Sequence, residues 1–103
     1  MYKIEILPIA RHDMINIFNY NLNELNNKSA ARDLNLQFRN AIKYINLFPY
    51  GLAEYNSVDK LKYKYRSMKV KNYLIFYIID EDSKTVIITR ILYKKMNIED
   101  MLY

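Results

Sequence analysis

The sequence predicts an α+β fold of order β-α-α-β-β-β, a helical hairpin packed on a mainly antiparallel four-stranded sheet. Three observations carry this. Residues 2–7 alternate apolar and polar at a period of two. Residues 10–48 change to steps of three and four, the period of a helical face. Residues 61–93 return to strand-like runs rich in Tyr, Val and Ile, separated by short polar turns. A single glycine and two prolines in 103 residues leave few places to break the chain, which favours long elements. The length fits one domain, 1–103, and with 51% apolar or aromatic residues it can bury a core.

The elements follow in order. Tyr2, Ile4 and Ile6 form the inward face of the first strand, which Pro8 ends because proline cannot donate to a ladder. Met14, Ile15, Phe18, Leu22 and Leu25 mark one face of a helix over about 10–26. Asn26-Asn27-Lys28 interrupts it, and Ser29 is the expected N-cap of the next helix. Leu34, Phe38, Ala41, Ile45 and Phe48 line that second helix, which must stop before Pro49. Two long helices with so short a connection should lie antiparallel. Residues 49–60 are an irregular connection. A strand over about 61–70 then carries Lys62, Lys64 and Arg66 on one face and Leu61, Tyr63 and Tyr65 on the other, with a slip of phase near Ser67 that indicates a bulge. Tyr73 to Ile79 is continuously apolar, the mark of a strand covered on both faces. Asp80 to Ser83 is a turn, 85–93 the last strand, and 97–102 a short terminal helix.

Charge is unevenly spread. The net charge is +5, yet six basic side chains crowd between Asp59 and Asp80 with no acid among them. They are Lys60, Lys62, Lys64, Arg66, Lys69 and Lys71, interleaved with Tyr63, Tyr65 and Tyr73. Such a band draws an anionic partner, either nucleic acid or an acidic protein segment. Alternation would project Lys62, Lys64 and Arg66 from one face about 7 Å apart, a phosphate-like spacing. The alternative is a solvated edge strand guarded by lysines. Arg90 interrupts the last strand on a face expected to include Val86, Ile88 and Leu92. It needs carboxylate or carbonyl partners, either at a site or in a structural pair with an acid such as Asp13 or Glu5. Tyr93-Lys94-Lys95 places a phenol beside two ammonium groups, suited to proton transfer or to stacking on a base. His12, between Arg11 and Asp13, reads as a surface helical histidine.

Much is excluded or disfavoured. Without cysteine there are no disulfides or thiolate metal sites. One histidine disfavours a transition-metal centre and a Ser-His-acid triad. No glycine-rich phosphate loop or paired-carboxylate motif is present, so no cofactor and no metal is expected. No apolar run approaches the roughly 20 residues that span a bilayer, and the charged N-terminus is unlike a signal peptide. These features lead us to expect a soluble cytoplasmic protein with no membrane partner.

Several segments together resemble the RelE/ParE superfamily, toxins of bacterial type II toxin–antitoxin modules. Ala10 to Met14 with Ile17 and Tyr20 resembles its opening helix, and Ala31 with Leu34, Phe38 and Ile42 its second helix. Pro49 and Gly51 resemble the break after it, one residue short. Tyr65-Arg66, Asn72 to Tyr77, and Val86, Ile88 and Arg90 to Leu92 resemble its strand core. Tyr93 to Asn97 with Leu102 is similar to the ParE-type tail, with Tyr93 for its histidine and Asn97 for its aspartate.

The resemblance implies two alternative activities. RelE-like members cut mRNA on the ribosome, using basic residues and an arginine in a strand where this chain has Leu74. In that case Lys62, Lys64 and Arg66 would clamp phosphate, Arg90 would stabilise charge and Tyr93 would move a proton, making Arg66, Arg90 and Tyr93 the catalytic set. ParE-like members lack that arginine, have a long hairpin and inhibit DNA gyrase without hydrolysis. The hairpin over about 10–48 places the chain nearer that branch. The implied function is therefore a ParE-like growth inhibitor acting on DNA gyrase, with a ribosome-dependent mRNA endonuclease as the alternative. Growth inhibition and plasmid stabilisation follow from either, and a degenerate toxin retained to bind antitoxin is a third reading. The implied partners are a cognate acidic antitoxin and either gyrase or ribosome-bound mRNA. Lys62, Lys64, Arg66, Lys69, Lys71, Lys94 and Lys95 are the expected contact residues.

Overall fold

A computed structural model describes residues 2–55 and 63–102, apart from the side chain of Glu99. Strand β1 (Lys3–Ile6) leads into helix α1 (Pro8–Asn19), which continues as a π-helical turn, Tyr20–Glu24. Helix α2 (Lys28–Leu47) returns antiparallel to it, and β2 (Arg66–Val70), β3 (Tyr73–Asp80), β4 (Thr85–Tyr93) and α3 (Ile98–Met101) complete the chain. The sheet order is β1-β4-β3-β2, with β1 parallel to β4 and the other pairs antiparallel. The α+β order β-α-α-β-β-β expected from periodicity is the one observed.

Pro8 ends β1 and also opens α1, where its missing N–H leaves no helical bond unmade. The buried stripe of α1 runs through Ala10, Met14 and Ile17. It is rotated from the expected one, so Ile15 and Leu25 are 56% and 54% exposed. The π-turn is held by Leu25 N–H to Tyr20 O at 3.3 Å and Asn27 N–H to Asn21 O at 3.1 Å. Asn26 then takes a left-handed conformation, φ 48°, and closes the connection. Asn27, not Ser29, caps α2, its side chain accepting from Ala30 N–H at 3.0 Å. Ser29 already lies inside the helix and cannot serve.

Leu34, Phe38, Ala41 and Ile45 of α2 are buried as expected, against Ile75, Tyr77, Val86, Ile88 and Ile91 of the sheet. Phe48 is 53% exposed, because the helix has ended and it packs on Tyr44 instead. β3 is central, and Ile75, Phe76 and Tyr77 have no exposure. A second, smaller cluster covers the other face, where Tyr65, Phe76, Leu92, Ile98 and Leu102 meet.

The phase slip expected near Ser67 is absent: β2 pairs regularly with β3 from Arg66↔Tyr77 to Val70↔Tyr73. The irregularity lies in β4, where Phe76 pairs with Arg90 and Tyr77 with Ile88, leaving Thr89 as the extra residue. Thr89 Oγ1 donates to Phe76 O at 3.1 Å, satisfying the hydroxyl in its buried position. The bulge moves Arg90 off the face of Val86 and Ile88 onto that of Phe76 and Leu92. β2 is also shorter than the 61–70 expected. Lys64 and Tyr65 precede it, and positions 61 and 62 lie outside the described residues.

Candidate functional site

Arg66 opens β2 opposite Tyr77, on the hairpin side of the sheet. Its guanidinium lies 5.1 Å from the centre of the Tyr50 ring, donates to Leu52 O and stands 3.8 Å from Glu54. Tyr77, fully buried beside it, donates to Pro49 O at 2.8 Å, and burial pushes its phenol to about 12. Both side chains thus fasten the segment after α2 to the sheet.

That segment is held from the other side by Glu81, in the turn between β3 and β4. Its carboxylate accepts from Tyr2 and Tyr50 hydroxyls and from Lys84. The Lys84 ammonium first, then the two phenols, hold Glu81 down at about 2. The same contact pushes the Tyr50 phenol up to about 12.

Arg90 is enclosed differently. Its Nε and Nη2 donate to the two oxygens of Asp13 at 2.8 and 2.9 Å, and Nη1 to Met101 O at 3.0 Å. Asp13 Oδ2 also accepts from Ile91 N–H at 3.0 Å. β1 ends at Ile6, so α1 supplies to the part of β4 beyond Ile88, which β1 does not pair, the acceptor that a longer first strand would have given. Of the two acids considered as partners for Arg90, Asp13 is the one used.

Tyr93 lies at the far end of β4, opposite Tyr73 and on the hairpin side. The two rings meet edge to face at 5.8 Å, and Tyr73 meets Phe38 in the same way. Burial first, with Tyr20 and Tyr93 nearby, raises the Tyr73 phenol above its ordinary range. These tyrosines, with Asn21, Leu34 and Lys71, line a groove of about 540 Å³ at the tip of the hairpin. Neither Tyr20 nor Tyr73 stood out in the sequence as a site residue. The apolar-to-aromatic run around each reads as core, and only the tertiary fold joins them.

Arg66, Arg90 and Tyr93 are therefore not brought together. Arg66 pairs with Tyr77 and Tyr93 with Tyr73, four residues along β3. Their backbones stand about 16 Å apart, from roughly 3.3 Å per residue and 4.8 Å per strand. Arg90 faces the opposite side of the sheet.

The cationic band is also dispersed. Lys62 lies outside the described residues. Lys64 is exposed ahead of β2, and Lys69 pairs with Leu74 on the α3 side. Lys71 takes φ 53° in the turn and donates to Asp33 of α2 at 2.9 Å, which lowers the Asp33 carboxyl. Lys94 and Lys95 are exposed after β4, and Lys94 N–H donates to Asn72 O at 2.8 Å, joining their turn to that of Lys71. Thus Lys71, Lys94 and Lys95 share one end of the sheet beside Tyr93, while Lys64 and Arg66 do not. His12 is exposed on α1, 3.3 Å from Asn16.

Two further grooves lie elsewhere on the surface. One, of about 500 Å³, is mainly apolar and lies on the outer sheet face between Leu7, Ile78, Ile87, Tyr65 and Leu102, with Arg90 at its wall. The other, of about 370 Å³, lies between the helices and is lined by Arg11, Met14, Ile15, Phe18 and Asn35. Among the described residues no helix is long and apolar enough to cross a membrane, and no group of acids and histidine could hold a metal.

Among curated proteins, none matches the chain. The fold is similar to that in a chromosomal ParDE toxin–antitoxin system from P. aeruginosa, with a TM-score of 0.72 and 14% identity over 90% of this chain and 96% of that one. It is also similar to the toxin–antitoxin complex RelBE2 from Mycobacterium tuberculosis, with a TM-score of 0.59 and 17% identity over 89% and 96%. At such identities the likeness is one of fold. Residues 4–98 match the family described as ParE toxin of type II toxin-antitoxin system, parDE. That match spans the hairpin, all of the sheet but Lys3 and the first residue of α3, and with it the chain belongs to the ParE family of type II toxins.

Proposed function

We propose that the protein is a ParE-like growth inhibitor of the bacterial cytoplasm that acts on DNA gyrase by binding, and that a cognate acidic antitoxin holds it in check. The observation that carries this is the separation of the three residues a nuclease would need together. Arg66 and Arg90 are both engaged by the protein's own carbonyls and carboxylates, on opposite faces of the sheet. Tyr93 lies about 16 Å from Arg66. Leu74 stands where RelE-like members have a strand arginine. Developing charge on a phosphate needs preorganised donors converging on one point, and two of the three here are already occupied. The ParDE neighbour supports the same branch.

The antitoxin reading draws on the outer-face groove, whose apolar walls suit the apolar side chains of a segment that folds on contact. Plasmid stabilisation would follow if the toxin outlived an antitoxin that is no longer made.

Expression of the toxin without antitoxin tests the target. Gyrase-linked DNA breaks with intact mRNA are the expected result. Cleavage of ribosome-bound mRNA at defined codon positions would overturn it in favour of the endonuclease.

A further inference from the structure

Three segments far apart in the chain meet at the tip of the hairpin, and the groove between them has a chemistry that the toxin reading leaves unused. The π-turn brings Tyr20 and Asn21, the β2–β3 turn Lys71 and Asn72, and the strand ends Tyr73 and Tyr93. Its volume, about 540 Å³, is that of a small-ligand site. The walls are fixed. Tyr73 stands edge to face against Phe38 on one side and Tyr93 on the other, both at 5.8 Å. Asn21 donates to Ile17 O at 2.8 Å, and its carboxamide lies beside the Tyr73 phenol. Lys94 N–H donates to Asn72 O at 2.8 Å, which locks the turn after β4 to the turn before β3.

What these walls offer is unspent. Tyr20 and Tyr93 are 53% and 38% exposed. Neither hydroxyl makes a hydrogen bond among the described residues, nor does the Asn72 carboxamide. An open aromatic face stacks on a nucleobase. A carboxamide presents a donor and an acceptor side by side, the pair that adenine matches with its amino group and N7.

The charges are one-sided. Lys94 and Lys95 follow Tyr93 directly, exposed and without an ion pair among the described residues. A phosphate beside Tyr93 therefore meets two ammonium groups. On the hairpin side the balance is negative, because Glu24 is exposed in the π-turn and Asp33 takes up the charge of Lys71. One base with one phosphate group suits cations on one side only, whereas a continuing strand would have to run past Glu24. The outer-face groove offers no such set: its walls are mainly apolar, and its Arg90 is held by Asp13.

We propose that the hairpin-tip groove binds a free adenine nucleotide, with its base stacked on Tyr93 and paired with the Asn72 carboxamide, and its phosphate against Lys94 and Lys95. This goes beyond the toxin reading and does not depend on it.

The test is titration of isotopically labelled protein with adenosine monophosphate (AMP), followed by amide shifts. Adenosine, cytidine monophosphate, inorganic phosphate and a set of oligodeoxyadenylates are the comparisons. AMP should shift Asn21, Asn72 and Lys94 saturably, at lower concentration than adenosine or the cytidine nucleotide, and phosphate alone should not reproduce the pattern. Tyr93→Ala should weaken AMP about fivefold or more. Tyr93→Phe keeps the stacking face and should bind as the parent does. Asn72→Leu should remove the preference for adenine over cytosine. Lys94→Gln with Lys95→Gln should bring AMP down to the level of adenosine. Lys43→Gln, toward the other end of α2, should change nothing. All of these side chains reach the surface, and far-UV circular dichroism checks that each variant is folded. Absence of saturable shifts at the groove in the parent would overturn the proposal. So would equal shifts from AMP and phosphate, marking an adventitious ion only, or an affinity that climbs with oligonucleotide length, marking a strand-binding surface. Gyrase supercoiling assays on the same variants report on the toxin reading separately, because nucleotide binding can fail while inhibition persists.

Discussion

Asp13 and Glu81 do the same job in two settings, and the contrast shows how environment sets the worth of a carboxylate. Each collects several donors from segments far apart in the chain. Asp13 ties α1 to β4 through Arg90 and the Ile91 N–H, with its side chain only 11% exposed. Glu81 ties β1, the segment after α2 and its own turn together through Tyr2, Tyr50 and Lys84, in water and 47% exposed. Inside, losing one partner leaves a charge without solvent, whereas at the surface water replaces whatever is lost.

Asp13→Ala should have the largest effect. It strands the Arg90 guanidinium and the Ile91 N–H together, and urea denaturation should register a loss of about 3–5 kcal/mol. The double change Asp13→Leu with Arg90→Met should recover most of that loss, since no buried charge remains. If the double variant is no more stable than the single one, the pair is not the isolated buried unit described.

Glu81→Gln should lower the melting temperature by less, and the difference from the parent should shrink in high salt. Its pH dependence has a definite sign. Glu81 is held at about 2 against an ordinary 4.5, so its contribution is complete above about 4.5 and is lost as pH falls through about 2. The parent should lose its advantage over Glu81→Gln across that window.

Tyr50 gives a smaller, alkaline counterpart. Its phenol is raised from 10.0 to about 12, so this contribution is complete below pH 10 and fades as pH rises through about 12. Absorbance at 295 nm should show several late-titrating phenols, of which those of Tyr50 and Tyr2 move toward 10 in Glu81→Gln while that of the buried Tyr77 stays high. Lys71→Gln, which removes an exposed ion pair with Asp33, should change stability too little to measure.

The contrast also explains what the sequence could disclose. Helical steps through Leu34, Phe38, Ala41 and Ile45, and the unbroken apolar run of β3, are patterns internal to one element. They identified the order of elements and much of the core. Arg90 was recognisable as needing an acid, because a charge inside an apolar strand has few other options. The described part of the cationic band is divided for a geometric reason. Alternate strand residues face opposite ways, so Arg66 turns to the hairpin and Lys69 away from it. Lys71 leaves the sheet at a turn. Thr89 gives no local signal at all: its bulge exists to reconcile two faces that are each well packed.

The π-turn at Tyr20–Glu24 carries a consequence for descent. A wide turn holds one residue more than an α-helical path of the same length needs. Loss of one residue there would be absorbed as an ordinary turn, leaving the registers of α1 and α2 intact. Among kindred toxins, single-residue length differences should gather at this position, and the hairpin could drift in size across a lineage without disturbing its core.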